Sequence, residues 1–173
     1  MLLKLKEAEM LRKYIGLLSA IIAYYMIHEG AHLVYALAIG AFKQVNPMIL
    51  GVQIDVFVEN MTNTQLGLFC LVGSIATLAT AYLLVFLTNK ICTTSSKFLK
   101  ASAYYTTMAL LLVDPLYLSV LCGFFGGGDM NGISLLIPET VAVISYGTIF
   151  ALNFVVFMEI VLPKYKLTFS KNC

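Results

Sequence analysis

Long apolar stretches interrupted by few polar residues alternate with short polar segments along this chain. A helix needs roughly 20 apolar residues to cross a hydrocarbon core of about 30 Å. Four stretches reach this length, at residues 14–41, 66–87, 101–125 and 141–162. We therefore predict an all-α polytopic membrane protein, with about four transmembrane helices in a single domain that covers residues 1–173.

A different pattern follows the first apolar stretch. From Val52 to Glu59, in the sequence VQIDVFVE, β-branched residues alternate with mostly polar ones. A period of two is typical of a strand with one buried face. We predict a small membrane-associated β-hairpin or strand after the first helix. An ordinary surface hairpin would produce the same alternation.

The composition indicates the solvent in which this chain folds. Hydrophobic residues make up 60% of the chain and charged residues 12%, whereas soluble domains carry about 25% charged residues. So little polar surface points to a lipid bilayer as the surroundings. The net charge of +2 and the lack of a basic patch interleaved with aromatic residues argue against nucleic acid as a partner.

The four cysteines show no paired spacing and no CxxC motif. Such a distribution predicts neither a disulfide framework nor a thiolate metal site. We expect three of them to be buried within the membrane and the last to be a free thiol in the tail. They are Cys70, Cys92, Cys122 and Cys173.

The distribution of basic residues predicts an orientation. With four spans, the N-terminal tail, the second loop and the C-terminal tail lie on one side of the membrane. Every basic residue except Lys43 falls in these three segments. Because basic residues favour the cytoplasmic side, we predict a multi-pass protein of the plasma membrane with both termini in the cytoplasm.

The first apolar stretch contains an HExxH motif formed by His28, Glu29 and His32. Residues i and i+4 of a helix lie on one face, so both imidazoles can reach the same metal ion. Glu29 lies where it can take a proton from a zinc-bound water. Both histidines of the chain belong to this motif. The alternative is that these are core-facing polar residues that pair with one another, but polar side chains inside a membrane are costly and usually functional.

The stretch HEGAHLVYALAIG resembles the site-2 protease family of intramembrane zinc metalloproteases, with small residues at Ala36 and Gly40. The resemblance implies a bound Zn²⁺ and a sheet whose edge holds the substrate in extended form. It also implies a third zinc ligand, an aspartate after the penultimate core helix. The segment 73–77, GSIAT, looks like a degenerate form of the family's GPxxN motif, although a small-residue packing face explains it equally well.

Catalytic zinc usually has three protein ligands, and no third histidine exists. Of the acidic residues on the side of the motif, Asp129 lies in a glycine-rich segment, 126–132, that lets the backbone approach a metal. Its place in the chain also agrees with the resemblance, so we predict Asp129 as the third ligand. Asp114 is the alternative, but Asp114-Pro115 falls near mid-bilayer, below the histidines, and favours a packing or gating role. Asn131 is a further candidate for a hydrogen bond to a ligand or substrate.

These residues predict a zinc metalloendopeptidase. His28, His32 and Asp129 would bind Zn²⁺ and Glu29 would be the catalytic base. The partner would be a membrane-protein or peptide substrate cleaved in or near a transmembrane segment. The alternatives are a non-hydrolytic membrane protein, either a pseudoprotease scaffold or a metal carrier, and a protein-binding accessory factor.

Overall fold

The computed structural model describes residues 2–48, 51–125 and 128–170. Seven α-helices are present in these ranges: α1 (Leu2–Ala38), α2 (Asn63–Cys92), α3 (Lys97–Leu116), α4 (Cys122–Phe125), α5 (Asp129–Ile133), α6 (Glu139–Val156) and α7 (Leu162–Ser170). Strands β1 (Phe42–Met48) and β2 (Gly51–Val56) lie between α1 and α2. Two π-helical segments, Tyr117–Leu121 and Phe157–Val161, join α3 to α4 and α6 to α7. The predictions for Cys173 and for Gly126 and Gly127 of the glycine-rich segment lie outside the described residues, as does Lys171, one of the basic residues used to predict the orientation.

Four helices within the described ranges are long and apolar enough to cross a membrane, as predicted. They cover Glu9–Ala38, Asn63–Cys92, Lys97–Phe124 and Glu139–Phe169. At most of their ends these helices extend beyond the approximate predicted spans, because helical hydrogen bonding continues into the polar flanks. At the C-terminal ends, the first helix stops three residues before the predicted bound and the third stops one residue before it.

Gly40 ends the first helix. Its φ of +71° is a left-handed conformation that glycine adopts without steric cost. The reversed chain lets the Ala41 N–H donate to the Ala36 carbonyl at 2.9 Å. Ala36 itself is fully buried. The turn directs the chain from α1 straight into the sheet.

The predicted sheet is present after α1. β1 and β2 pair antiparallel, with Val45 opposite Ile54 and an irregularity between Phe42 and Gln44. The prediction that the strand continues to Glu59 was wrong. Val58–Asn60 forms a 3₁₀ helix, in which the Asn60 N–H turns back to the Phe57 carbonyl at 3.0 Å.

Large apolar side chains cover the outside of the bundle, and its interior contains polar side chains beside two apolar clusters. Large side chains such as Phe86, Phe124 and Met26 are 72–81% exposed. The buried polar and charged residues are His28, His32, Ser74, Thr77, Thr88, Lys100, Thr107, Asp114 and Asn153. Because no water reaches a bilayer core, these groups must find partners within the protein. Cys70 and Cys122 are buried free thiols, as predicted, while Cys92 is half-buried.

Pro115 lies within α3 and leaves one backbone carbonyl without its usual helical hydrogen bond. A side chain of a neighbouring helix bonds this carbonyl instead. Proline has no N–H, so it cannot donate to the carbonyl of Leu111, one turn earlier. The side-chain amide of Asn153, on α6, donates to this carbonyl at 2.7 Å. The Tyr82 hydroxyl, on α2, donates to the Asn153 amide oxygen at 2.6 Å. One chain of hydrogen bonds thus joins α2, α3 and α6 at the proline.

Replacing Asn153 with leucine should destabilise the fold. The change keeps the size of the side chain but leaves the Leu111 carbonyl and the Tyr82 hydroxyl without their partner. Leaving such groups unsatisfied costs about 1–3 kcal/mol, which denaturant titration of the protein in detergent would measure. Thr148→Val is the control, because Thr148 is exposed on α6 and bonds only the Ile144 carbonyl of its own helix. Equal stability of Asn153→Leu and wild type would contradict the role assigned to this amide.

Candidate metal centre

His28 and His32 occupy successive turns of one face of α1. Both are buried, with relative exposures of 7% and 3%. Their Nε2 atoms lie 3.1 Å apart, so both rings direct the same nitrogen to one point. The Tyr24 ring stacks on His28 with centroids 5.5 Å apart, and Phe69 packs against His32 at 4.7 Å. These aromatic rings restrict the orientation of both imidazoles.

Asp129 joins the two histidines. It is the first residue of α5, directly after Gly128, which adopts a φ of +43°. Its Oδ2 atom lies 3.1 Å from His28 Nε2 and 3.6 Å from His32 Nε2. One ligand atom from each of the three residues lies within 4.8 Å of the others. The fold therefore brings together the three side chains that the sequence analysis predicted as ligands.

The carboxyl group of Asp129 is ionised at neutral pH. Burial favours its neutral form, but hydrogen bonding to His28, and then to His32, outweighs burial and lowers the pKa of Asp129 to about 2. A carboxyl group must be deprotonated to bind a metal. Asp129 meets this requirement.

The separations of the three donor atoms lie within about 0.2 Å of those around one tetrahedral zinc ion. Zn–N and Zn–O distances of about 2.0–2.2 Å place the ligand atoms of such an ion roughly 3.3–3.5 Å apart. The observed separations are 3.1, 3.1 and 3.6 Å. A Cβ atom at Gly73, on α2, would lie 2.5 Å from His32 Nε2 and 2.8 Å from His28 Nε2. Gly73 thus keeps clear the space beside both imidazole donors.

Asp114 lies directly behind His28, which corrects the prediction that it lies below the histidines. Its Oδ2 atom is 3.2 Å from His28 Nδ1. The same carboxylate accepts hydrogen bonds from the hydroxyls of Tyr24 and Thr77. The prediction counted helical rise along α3 from the membrane surface. It could not include the packing of α3 against α1, which sets the relative height of the two helices.

The contact with Asp114 determines which nitrogen of His28 faces the other two candidate metal-ligand atoms. An ionised carboxylate can only accept, so Nδ1 of His28 carries a hydrogen. In the imidazolium form Nε2 also carries a hydrogen and donates it to Asp129; in the neutral form Nε2 carries a lone pair. That lone pair faces His32 Nε2 and the carboxylate of Asp129. Acceptor atoms this close repel one another unless a proton or a cation lies between them. A histidine that binds a metal through one ring nitrogen usually donates the N–H of the other ring nitrogen to a carboxylate or carbonyl. The contact of His28 with Asp114 has this form. The donor set therefore fits a divalent cation such as zinc.

Sequence reasoning missed the contributions of Gly73, Thr77 and Tyr24. The first two belong to the GSIAT segment, whose i, i+4 spacing places them on one helix face opposite the HExxH motif. Small-residue packing explains that segment equally well from sequence alone. Tyr24 lies one turn before His28, and an aromatic residue there carries no specific signal. Asn131 is exposed, and in the described part of the chain it is not among the residues that line the site.

Glu29 faces a cavity beside the three donors. This cavity of about 830 Å³ is lined by Glu29, His32, Asp129, residues of β2 and the rings of Tyr25, Phe69 and Tyr117. The Ile54 N–H, on β2, donates to Glu29 Oε2 at 3.2 Å. This edge of β2 is the one that β1 does not occupy. A carboxylate, the metal-binding face and a strand edge therefore share one space.

Comparison with known proteins identifies no relative of this chain. No family model matches the sequence, and no match is found among curated proteins or solved structures. The ligand assignments consequently depend on the HExxH motif and on the geometry of the side chains around it.

Replacing Gly73 with alanine should abolish zinc binding without unfolding the protein. The new methyl group would occupy space next to both Nε2 atoms, while alanine itself favours a helix by about 1 kcal/mol over glycine. Gly30→Ala, inside the HExxH motif, is the matched control, because its Cβ would meet no atom within 4 Å. Elemental analysis of the purified proteins should show one zinc per chain in wild type and Gly30→Ala and almost none in Gly73→Ala. Full zinc content in Gly73→Ala would contradict the site.

Replacing Asp114 with asparagine should weaken zinc binding but not eliminate it. The amide holds the Nδ1–H of His28 less firmly, and loss of such an outer partner typically lowers metal affinity 10- to 100-fold. Competition with a zinc chelator would measure this change. Asp55→Asn removes the same charge on β2, where Asp55 bonds Asn46 at 2.7 Å, and should leave the affinity unchanged. Equal affinities of the two variants would exclude a positioning role for Asp114.

Proposed function

We propose that this protein is an intramembrane zinc metalloendopeptidase similar to the site-2 protease family. The observation that carries the proposal is the convergence of His28, His32 and Asp129 next to Glu29 within a bundle of apolar helices. Each of these groups is costly in a membrane, and together they are the parts that hydrolysis of a peptide bond requires. The substrate would be a transmembrane or membrane-proximal segment of another protein or a pro-peptide.

Each residue of the site has its own role in the proposed reaction. His28, His32 and Asp129 hold the metal, and Asp114 keeps the His28 ring in the orientation that exposes Nε2. Zinc bound there supplies Lewis acidity, which polarises a peptide carbonyl and makes a water easier to deprotonate. Glu29 takes the proton from the attacking water and returns it to the departing amine.

The edge of β2 that does not pair with β1 is suited to hold the substrate. A peptide bond in a helix is shielded by backbone hydrogen bonds, so a helical substrate must be extended before attack. An extended peptide can add to an open strand edge through main-chain hydrogen bonds. The Ile54 N–H already points to this edge, where it meets Glu29. A substrate carbonyl that pairs with β2 would therefore lie next to the catalytic base.

The basic residues suggest an orientation for the site. We place both termini in the cytoplasm of a cell bounded by the plasma membrane, as the positive-inside rule predicts. His28 is 19 residues beyond Glu9, the start of the first span, which is roughly 28 Å along a helix. The metal centre and the sheet then lie in the outer half of the membrane.

The Glu29→Gln variant tests the proposal. The amide keeps the shape of the side chain but cannot accept a proton from water, so zinc content should remain while cleavage falls at least 10²-fold. Cleavage of a model transmembrane substrate in detergent or liposomes, followed by mass spectrometry, gives the rate. Glu59→Gln is the control, because Glu59 is exposed in the 3₁₀ helix after β2.

Two results would overturn the proposal. Unchanged cleavage in Glu29→Gln would remove this residue from catalysis. Zinc binding with no cleavage by the wild type over a panel of transmembrane substrates would instead favour a non-hydrolytic metal-binding protein. Loss of zinc in Glu59→Gln would show that the control also disturbs the fold.

A further inference from the structure

The cavity beside the metal centre offers few side chains that can donate a hydrogen bond to a substrate. Apart from the metal ligands, the described lining residues that end in a hydroxyl or an amide are Tyr25, Gln53 and Tyr117. The ring of Tyr25 is held against the hairpin, since a Cβ atom at Gly51 would lie 2.5 Å from it. Gln53 is exposed and, as the neighbour of buried Ile54 in β2, points its side chain to the opposite face of the sheet. Tyr117 is the lining donor that remains for a substrate within the cavity.

Tyr117 lies about one helical turn beyond Asp114, the residue directly behind His28. Its backbone N–H donates to the Asp114 carbonyl, and the helical rise places it roughly 4.5 Å further along the span. Residues three positions apart lie on the same side of a helix. The contact of Asp114 with His28 therefore directs Tyr117 past the imidazole and towards the cavity. Tyr117 also begins the π-helical segment Tyr117–Leu121, and such segments are frequent at functional sites.

The hydroxyl of Tyr117 lies over the backbone of Gly128, the residue before the candidate ligand Asp129. A Cβ atom at Gly128 would lie 2.7 Å from this hydroxyl, so the absence of a side chain there permits the approach of the phenol. In the described part of the chain the Tyr117 hydroxyl has no hydrogen-bond partner. The Tyr24 hydroxyl, by contrast, already donates to Asp114. The O–H of Tyr117 is therefore available to a molecule in the cavity.

The chemistry of the cavity favours a neutral donor. Its described lining contains the carboxylates of Glu29 and Asp129, no lysine or arginine, and apolar side chains such as Met48, Val52 and Phe69. A phenol is uncharged at neutral pH, so it can lie near a bound cation without the repulsion that an ammonium or guanidinium group would meet. A hydrogen bond to a charged oxygen is also stronger among apolar side chains than in water.

We propose that Tyr117 is a second catalytic residue, which donates a hydrogen bond to the oxyanion formed when the scissile peptide bond is attacked; this inference rests on the proposed protease function. In the attack, the water oxygen bonds to the carbonyl carbon, the water proton passes to Glu29, and the π electron pair moves to the carbonyl oxygen. Tyr117 donates to this charged oxygen without losing its own proton. The carbonyl then re-forms as the C–N bond breaks, and Glu29 returns the proton to the amine nitrogen. Because the oxygen carries its full charge only in the intermediate, the hydrogen bond lowers the barrier more than it strengthens substrate binding.

The Tyr117→Phe variant tests this assignment, because it removes the hydroxyl and keeps the ring. Loss of one such donor typically lowers kcat about 10²- to 10³-fold, while KM for a model transmembrane substrate should stay within about threefold of wild type. Zinc content should not change. A peptide phosphinate carries a charged tetrahedral oxygen and resembles the intermediate, so its affinity for the zinc-loaded variant should fall in parallel with kcat/KM. Calorimetry measures that affinity without any turnover.

The matched control is Tyr105→Phe, which removes a hydroxyl from the same span. Tyr105 lies roughly 18 Å before Tyr117 along the helix and is not among the described residues that line this cavity, so its rates and phosphinate affinity should equal those of wild type.

Several outcomes would overturn the inference. Wild-type kcat in Tyr117→Phe, in a protein whose cleavage still requires Glu29, would remove Tyr117 from catalysis and leave the proposed function standing. A rise in KM alone would assign Tyr117 to substrate binding, and a loss of zinc would assign it to the structure of the metal centre; either result contradicts the catalytic role. No cleavage by the wild type would overturn the proposed function and this inference with it.

Discussion

The candidate site depends on keeping three electron-rich atoms together in a medium that cannot screen them. Two imidazole nitrogens and a carboxylate oxygen lie within about 3.6 Å of each other, where they repel unless a positive charge lies between them. The surrounding packing maintains this arrangement. Gly73 leaves room beside the nitrogens, and the close approach of Gly132 to Cys70 holds α5, and with it Asp129, against α2. A cation bound there would convert this repulsion into attraction, and its binding would then stabilise this half of the bundle.

A single proline connects this centre to the rest of the fold. Pro115 follows Asp114 and begins the part of the third span where the helix changes to a π-helical segment. The Asn153 amide donates to the carbonyl that the proline leaves unpaired. Asp114 accepts hydrogen bonds from side chains of α1 and α2. The third span thereby contacts each of the other three spans through buried polar groups. In a bilayer, where apolar packing gives little preference for one arrangement, such contacts help to specify one.

The two ends of the bundle carry side chains of different character. One end contains the donors, the strand edge and the cavity that contains Glu29, and its charges are mostly acidic. The other end gathers the basic residues around a cavity with aromatic walls. This separation follows from the sequence, since basic side chains favour one membrane face while the costly acids and histidines concentrate where chemistry is proposed.

The sequence by itself determined the four spans, the small sheet after the first and the pairing of His28 with His32, because helical and strand periodicities are local properties. It also placed Asp129 in a glycine-rich segment after the third span. It could not determine that Asp114 lies behind His28, because helical rise gives depth within one helix and not the offset between two packed helices. The roles of Gly73 and Thr77 could not be predicted either. A face of small residues has the same sequence pattern whether it packs against lipid, another helix or a pair of imidazoles. Only the packing of α1, α2 and α3 decided which side chains face one another.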